Sequence, residues 1–302
     1  MWGLKLKVAV IGGTGLLGSN LLKLYSKYDI KAFSREQSYN VDKFKNFVID
    51  FRYLEDELNK FFIDWKPDII INTVAIVNLQ KCENDYNYAQ QVNCEFAVQI
   101  AKIAIKYDSY FIHISTDHYY NDALKFHNEN TEVRLLNNYA KTKYNAEQAV
   151  LQLDSRALIV RTNIIGFRRR TAKSFFEWLL ESFENQDKFG LYTNFYTSPI
   201  SVKELGNILI KCYKQKLKGI YNISSKEVSS KYDFGIKVAD IFGYDVQRIV
   251  PTILKNDDNI QRALTLGLDV SKIENALEIN MPTIDETINN LYKEYVKEKK
   301  NE

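Results

Sequence analysis

At 302 residues with 45% hydrophobic content, the chain can bury one large domain or a main domain with a smaller companion. Its 41 basic and 38 acidic residues leave a net charge of +3, too weak a field to point to nucleic acid. Cys82, Cys94 and Cys212 lack C-x-x-C spacing, His113, His118 and His127 lack an H-E-x-x-H pattern, and no apolar run is long enough for a membrane span; no disulfide framework, zinc site or membrane partner is expected.

Met1-Trp2-Gly3 leads directly into the first strand-like stretch and leaves no room for a signal peptide, so a cytoplasmic setting with reduced thiols is expected. Short apolar runs then alternate with longer amphipathic ones. Strands are predicted over residues 5–11, 30–33, 47–49, 68–72, 110–115 and 157–161, and helices over 16–28, 53–65, 86–107 and 139–152. Several of the strands are apolar throughout, as strands buried on both faces should be. This is the pattern of an α/β, doubly wound parallel sheet of the Rossmann type over residues 1–165. Beyond it, helices are expected over 173–185, 202–216, 231–242 and 283–300, with a strand over 219–223. Residues 166–302 thus form a smaller C-terminal α/β part, with about 198–222 returning to the first domain. The polar end, 297–302, is expected to fray. Arg168-Arg169-Arg170 reads as a solvated loop or as a contact to an anionic diphosphate.

The run Ile11-Gly12-Gly13-Thr14-Gly15-Leu16-Leu17-Gly18 joins the first strand to the first helix. A strand, a glycine-rich turn and a helix N-terminus bring backbone N–H groups and the positive helix end to one point, which suits a pyrophosphate. Gly12 permits the tight turn, Gly15 lets backbone approach phosphate, and Gly18 lets the helix pack closely. The spacing is G-x-x-G-x-x-G. Gly12, Thr14, Gly15, Leu16, Leu17 and Gly18 are therefore candidate dinucleotide-binding residues; fortuitous glycines in a structural turn are the competing reading. Where NAD-preferring folds end the second strand in a carboxylate, this chain reads Ala32-Phe33-Ser34-Arg35. Ser34 and Arg35 point to NADP(H), with Arg35 neutralising a 2′-phosphate. An ordinary surface arginine is the alternative, and Glu36 leaves NAD(H) usable.

Tyr139 and Lys143 stand four apart at the start of a predicted helix and share a face. A tyrosine hydroxyl titrates near ~10 in water, and a neighbouring ammonium lowers that value enough for proton exchange. Ser115-Thr116-Asp117 ends the strand before it, placing hydroxyls at the carboxyl edge where open α/β sheets bind ligands. A helix cap or turn is the competing role for Thr116-Asp117.

Together these residues resemble an extended short-chain dehydrogenase/reductase, and within that group the dTDP-4-dehydrorhamnose reductase branch. The match continues in order through Asn72-Thr73-Val74-Ala75, Lys81-Cys82-Glu83, Val92-Asn93, Ser115-Thr116-Asp117, Asn138 to Lys143 and Arg161-Thr162. It then runs through Ser198-Pro199-Ile200, Gly219 to Ile223 and Leu268 to Lys272. The resemblance implies that Tyr139 protonates the C4 oxygen of a keto sugar while hydride arrives from NADPH. It further implies that Lys143 holds the nicotinamide ribose and tunes Tyr139, and that Thr116 hydrogen-bonds the carbonyl oxygen. Asp117 and His118 would bind substrate, Val74, Ala75 and Ile76 would line the cofactor, and Asp50-Phe51 would flank the adenine. A nucleotide-activated 4-keto-6-deoxy sugar feeding polysaccharide synthesis is the implied substrate, and a homodimer the implied assembly.

The chain departs from that branch at His118, where Tyr is usual, at Ala140, where Gly is usual, near Ile164, where Trp is common, and at Asn121-Asp122, where Asp-Gly is usual. These positions bear on the sugar's identity more than on the chemistry. A packed or solvent-facing loop histidine is an equal reading of His118. Asn20 stands where some relatives carry a magnesium-binding glutamate, so no metal is expected. A nucleotide-sugar 4-epimerase is the enzymatic alternative; a dehydratase is disfavoured because His118, not Glu, follows Asp117. The other alternative is a non-catalytic NADP-binding regulatory subunit like the methionine adenosyltransferase β-subunit.

Overall fold

Most of the expected strands and helices are apolar enough, or long enough in amphipathic period, to form locally, and the computed structural model follows them closely. It describes all residues except 1–4, 38–44, 121–123, 155, 169–171, 186, 256–259 and 301–302. Met1-Trp2-Gly3, Asn121-Asp122, Arg169-Arg170 and the last residues of the expected fraying end lie outside the described residues.

The chain begins with β1 (Lys7–Ile11), α1 (Leu16–Leu24), β2 (Asp29–Ser34), β3 (Asn46–Val48), α2 (Leu54–Trp65) and β4 (Ile69–Asn72). It continues through α3 (Leu79–Asn84), α4 (Tyr86–Gln90), a π-helical turn at Gln91–Glu95, α5 (Phe96–Lys106), β5 (Tyr110–Ile114), α6 (Asn138–Leu153) and β6 (Leu158–Arg161). Next come β7 (Ile164–Ile165), α7 (Phe175–Glu184), β8 (Phe189–Tyr192), β9 (Tyr196–Thr197), β10 (Ile200–Ser201), α8 (Val202–Lys214) and β11 (Gly219–Asn222). The last elements are β12 (Ser229–Ser230), α9 (Lys231–Phe242), β13 (Ile249–Thr252), β14 (Thr265–Leu266), α10 (Ser271–Leu277) and α11 (Ile284–Lys299).

Two compact units emerge: Met1–Ser115 with Asn137–Val160 and Gly206–Ile220, and Thr116–Leu136 with Arg161–Leu205 and Tyr221–Glu302. The first carries the seven-stranded sheet, in the order β11-β6-β5-β4-β1-β2-β3. β1 pairs in parallel with β2 on one side and β4 on the other, so Val10 lies between Ala32 and Ile71. The chain winds outward from β1 through β2 and β3, then returns to β4 and winds the other way. In doubly wound sheets such a reversal, at the carboxyl ends of β1 and β4, is where ligands bind. The strands are apolar because helices cover both faces: Val8 to Ile11 and Ile69 to Ile71 are fully buried. Leu58, Phe62 and Trp65 of α2 and Ile100, Ile103 and Ala104 of α5 join Phe33, Ile70 and Phe111 of the sheet in one core. Truncating Phe62 there would cost about 3–5 kcal/mol.

One expectation is corrected, and two local features go beyond the sequence reading. α1 stops at Leu24, short of residue 28, because Tyr25 turns into the core and its hydroxyl donates to the Gly206 carbonyl at 2.5 Å. The expected helix 86–107 runs unbroken from Tyr86 to Lys106, through a π-helical turn at Gln91–Glu95 across which the apolar period continues. The short α3 was not expected; Asn78 caps it by accepting from the Lys81 N–H at 2.9 Å.

The second unit packs α7, α9 and α11 with the parallel pair β8–β13 around Phe176, Leu179, Phe183, Phe234 and Ile288. Reciprocal capping boxes start α7 (Ser174 with Glu177) and α11 (Thr283 with Glu286), and α11 runs helically to Lys299. β9 pairs with β12 and β14, and β7 with β10; none of these two-residue strands has a sequence period to betray it.

Candidate active site

The glycine loop is built as its spacing demands. Gly12 adopts φ +98°, and its N–H donates to the Phe33 carbonyl at 2.8 Å. A Cβ on Gly18 would stand 2.3 Å from the Gly12 carbonyl oxygen, so α1 packs directly on the loop. Gly13, not singled out from the sequence, is equally constrained, since its Cβ would meet Ala32 and Asn46 at 2.5 Å. α1 starts after Gly15 with no side-chain cap and no acidic residue in its first turn, an arrangement that suits an anion. Asn20 turns inward, donating to the Leu16 carbonyl at 2.8 Å.

Arg35, Asp50 and Phe51 come together at a cavity of about 410 Å³, which Tyr88 and Arg52 also line. The Arg35 guanidinium donates to the Tyr88 hydroxyl at 2.9 Å. Asp50 accepts from the Arg52 backbone N–H at 2.9 Å and pairs with its guanidinium, whose hydrogen bonds hold the carboxyl below the usual range. Ser34 is buried; its hydroxyl donates to the Glu36 carbonyl at 2.7 Å and accepts from Asn46 at 2.9 Å. An uncapped helix end, a loop with no room for a Cβ at Gly12, Gly13 or Gly18, and a cavity lined by Arg35 and Arg52 fit a phosphorylated dinucleotide.

Tyr139 and Lys143 lie one turn apart on α6, 7% and 1% exposed. Asn137 caps this helix by accepting from the Ala140 N–H at 2.9 Å, and Glu83 accepts from the Asn138 N–H at 2.6 Å. Lys143 Nζ reaches β5, donating to the Ile114 carbonyl at 2.8 Å and standing 3.2 Å from His113 Nε2. Burial pushes the Lys143 ammonium down to about 8, with the Glu147 carboxylate opposing. Burial and the Lys143 charge hold His113 neutral, well below the ordinary histidine range. The Ser115 hydroxyl donates to Glu147 at 2.5 Å.

Asn93, in the π-helical turn, organises the segment that carries Val74, Ala75 and Ile76. Its side chain accepts from the Ile76 N–H at 2.7 Å, donates to the Ile76 carbonyl at 3.2 Å and donates to the Thr142 hydroxyl at 3.0 Å. Thr142 in turn donates to the Tyr139 carbonyl at 3.0 Å. Asn93 and Glu83 were visible in the sequence only as motif members without a role.

In the second unit Thr116 and Asp117 are buried and form a turn, the His118 N–H donating to the Thr116 hydroxyl at 3.2 Å. Asn163 donates to Asp117 Oδ2 at 2.7 Å, and His118 Nε2 lies 3.9 Å from Oδ1. Burial raises the Asp117 carboxyl, while the charges of His118 and Lys231 act against it. Lys231, which the sequence did not flag, is held over the Phe175 ring at 4.2 Å and is pushed by burial to about 8. Among the described residues no cluster of His, Cys, Asp and Glu could hold a metal, and no helix is long and apolar enough to cross a membrane.

Known proteins similar to this chain place it in a family. The RmlD substrate binding domain model matches residues 6–297. A probable low-salt glycan biosynthesis reductase of Haloferax volcanii is 23% identical, over 92% of this chain and 95% of its own. The methionine adenosyltransferase 2 subunit beta of Xenopus laevis is 24% identical, over 89% of this chain and 81% of its own. A dTDP-4-dehydrorhamnose reductase of Bacillus anthracis, solved with NADP, superimposes with a TM-score of 0.84 at 20% identity, covering 96% and 99% of the two chains. With the family model spanning nearly its whole length, the chain belongs to the RmlD substrate-binding-domain family.

Proposed function

We propose that this protein is an NADPH-dependent reductase of the C4 ketone in a nucleotide-activated 4-keto-6-deoxy sugar, with NADH as a second usable cofactor. The observation that carries the reading is the Tyr139–Lys143 pair, one turn apart on α6, with the amine buried against β5. It lies in the unit that also holds the glycine loop. The names of relatives, a glycan biosynthesis reductase and a sugar-nucleotide reductase solved with NADP, support it.

When bound, NADPH supplies hydride to C4. Tyr139 gives its proton to the C4 oxygen, and Lys143 holds the ribose and tunes the phenol. Thr116 donates a hydrogen bond to the same oxygen, and Asp117 and His118 hold the sugar. Gly12, Thr14, Gly15, Leu16, Leu17 and Gly18 cradle the pyrophosphate, Ser34 and Arg35 the 2′-phosphate end, Asp50 and Phe51 the adenine, and Val74 to Ile76 the nicotinamide side. Residues 1–165, with 198–222, serve mainly the cofactor, Thr116 to His118 apart, and 166–302 mainly the sugar. The reading places the enzyme in the cytoplasm as a homodimer, which light scattering checks. The functional test follows NADPH absorbance with a panel of 4-keto nucleotide sugars. Stoichiometric consumption with one of them is expected; tight NADPH binding with no turnover on any would refute the assignment.

One observation favours a second reading: the match to methionine adenosyltransferase 2 subunit beta covers 89% of the chain. A regulatory role predicts comigration with a larger enzyme whose activity survives Tyr139→Phe in this chain.

A further inference from the structure

Asn72, His113 and Lys143 make a chain of buried polar groups from β4 through β5 to α6, each 1% exposed or less. Asn72 Oδ1 accepts from the Val74 N–H at 3.1 Å, which fixes the amide and turns its Nδ2 toward His113 Nδ1, also at 3.1 Å. A ring nitrogen that receives an N–H must present its lone pair. His113 is fully buried, and burial first of all holds it neutral, so its single ring proton sits on Nε2. That nitrogen is the one 3.2 Å from Lys143 Nζ, whose other contact is the donation to Ile114 O.

An ammonium carries only donors and would face the Nε2–H donor to donor; an amine has a lone pair to accept it and keeps two N–H groups. The ammonium is accommodated only if the ring proton moves to Nδ1 and the Asn72 amide turns over. That turn would set the Val74 N–H against an NH2 group. The other groups facing Lys143 are Glu147 on the same helix and Cys94 on the π-helical turn, and both favour the ammonium. Burial opposes them. The Ser115 hydroxyl, bonded to Glu147, holds part of that carboxylate's capacity.

We propose that His113, pinned by Asn72, is a positioning residue for Lys143: it presents Nε2–H to Nζ, disfavours the ammonium, and couples each protonation of Lys143 to a tautomer shift of the ring and a turn of the Asn72 amide. Its consequence for turnover rests on the catalytic reading of Lys143; the coupling itself is a property of the folded chain. Lys143 is then a group that exchanges its proton in the working pH range, not a fixed cation beside Tyr139.

Asn72→Asp tests this directly, because a carboxylate accepts from both Val74 N–H and His113 Nδ1–H and so frees Nε2 to accept from an ammonium. In the full-length chain, the Lys143 titration is read as the pH dependence of unfolding free energy that Lys143→Met removes in the same background. Its midpoint is expected to rise by about one pH unit or more in Asn72→Asp, and by less in His113→Phe, which only deletes the opposing donor. If Asn72→Asp does not fold, His113→Phe alone decides. An unmoved midpoint overturns the proposal. A parallel pH profile of NADPH turnover separates the two readings: a shifted stability midpoint with an unshifted profile keeps the coupling and removes the catalytic role of Lys143.

Discussion

Two lysines, one in each unit, Lys143 buried and Lys231 partly buried, are both pushed down to about 8 by desolvation, and they are held in opposite ways. Lys143 meets fixed polar groups of a central strand, the Ile114 carbonyl and His113. Lys231 rests on ring faces, with Phe175 at 4.2 Å and Phe195 at 5.8 Å, and with Asp117 as its opposing charge. Strand carbonyls leave an amine a single place to sit. Ring faces hold a cation without specifying one direction. Under the proposed function, the first arrangement suits the chemical step and the second suits binding of the sugar substrate.

The largest effect that sharpens this contrast is on turnover. Lys143→Met is expected to lower kcat with NADPH by on the order of 10²–10⁴-fold. Lys231→Met is expected to raise the sugar KM about tenfold, roughly 1.4 kcal/mol, while leaving the NADPH Kd in place. Equal losses of kcat in both variants would erase the distinction.

Stability against pH comes next. Lys143 is depressed to about 8 in the fold from 10.5, so between those values the unfolded chain binds more protons and stability rises with pH. Burying the ammonium therefore costs about 3 kcal/mol below pH 8, and the cost disappears toward pH 10.5. Lys143→Met should stabilise the protein most near neutrality, and its advantage should shrink through that window in urea titrations. An advantage that grows with pH would contradict the burial account.

A smaller loss is expected from Gly18→Ala, because its Cβ would lie 2.3 Å from the Gly12 carbonyl oxygen. A cost of about 1–3 kcal/mol should appear as a lower Tm, together with weaker NADPH binding. Arg35→Ala should leave folding stability in place and reduce the preference for NADPH over NADH about tenfold by loss of one charge-assisted contact. The ratio of the two Kd values measures it.

The frame of the first unit was legible because its signals are local. The strands of residues 69–72 and 110–114 are apolar runs, and the glycine spacing carries its own sterics. What escaped depends on partners distant in sequence. α1 ends early because Tyr25 bonds Gly206, 181 residues away. The role of Asn93 lies in a π-helical turn that apolar periodicity cannot distinguish from α-helix. His113 could be seen as a histidine in an apolar strand, but not that Asn72 and Lys143 flank its ring from 41 and 30 residues away. The contact between Asp117 and Asn163 spans 46 residues, and nothing about Lys231 in the sequence pointed toward it.

The central claim, that the Tyr139 phenol delivers a proton while NADPH reduces a sugar ketone, is tested most directly by isotope transfer. Incubating the protein with NADPH deuterated at the transferable position and a 4-keto nucleotide sugar, and reading the product by NMR, should place deuterium at C4 in one configuration. Tyr139→Phe should bind NADPH and transfer almost none. Deuterium absent from C4 with the wild-type protein, or transferred equally well by Tyr139→Phe, would contradict the account.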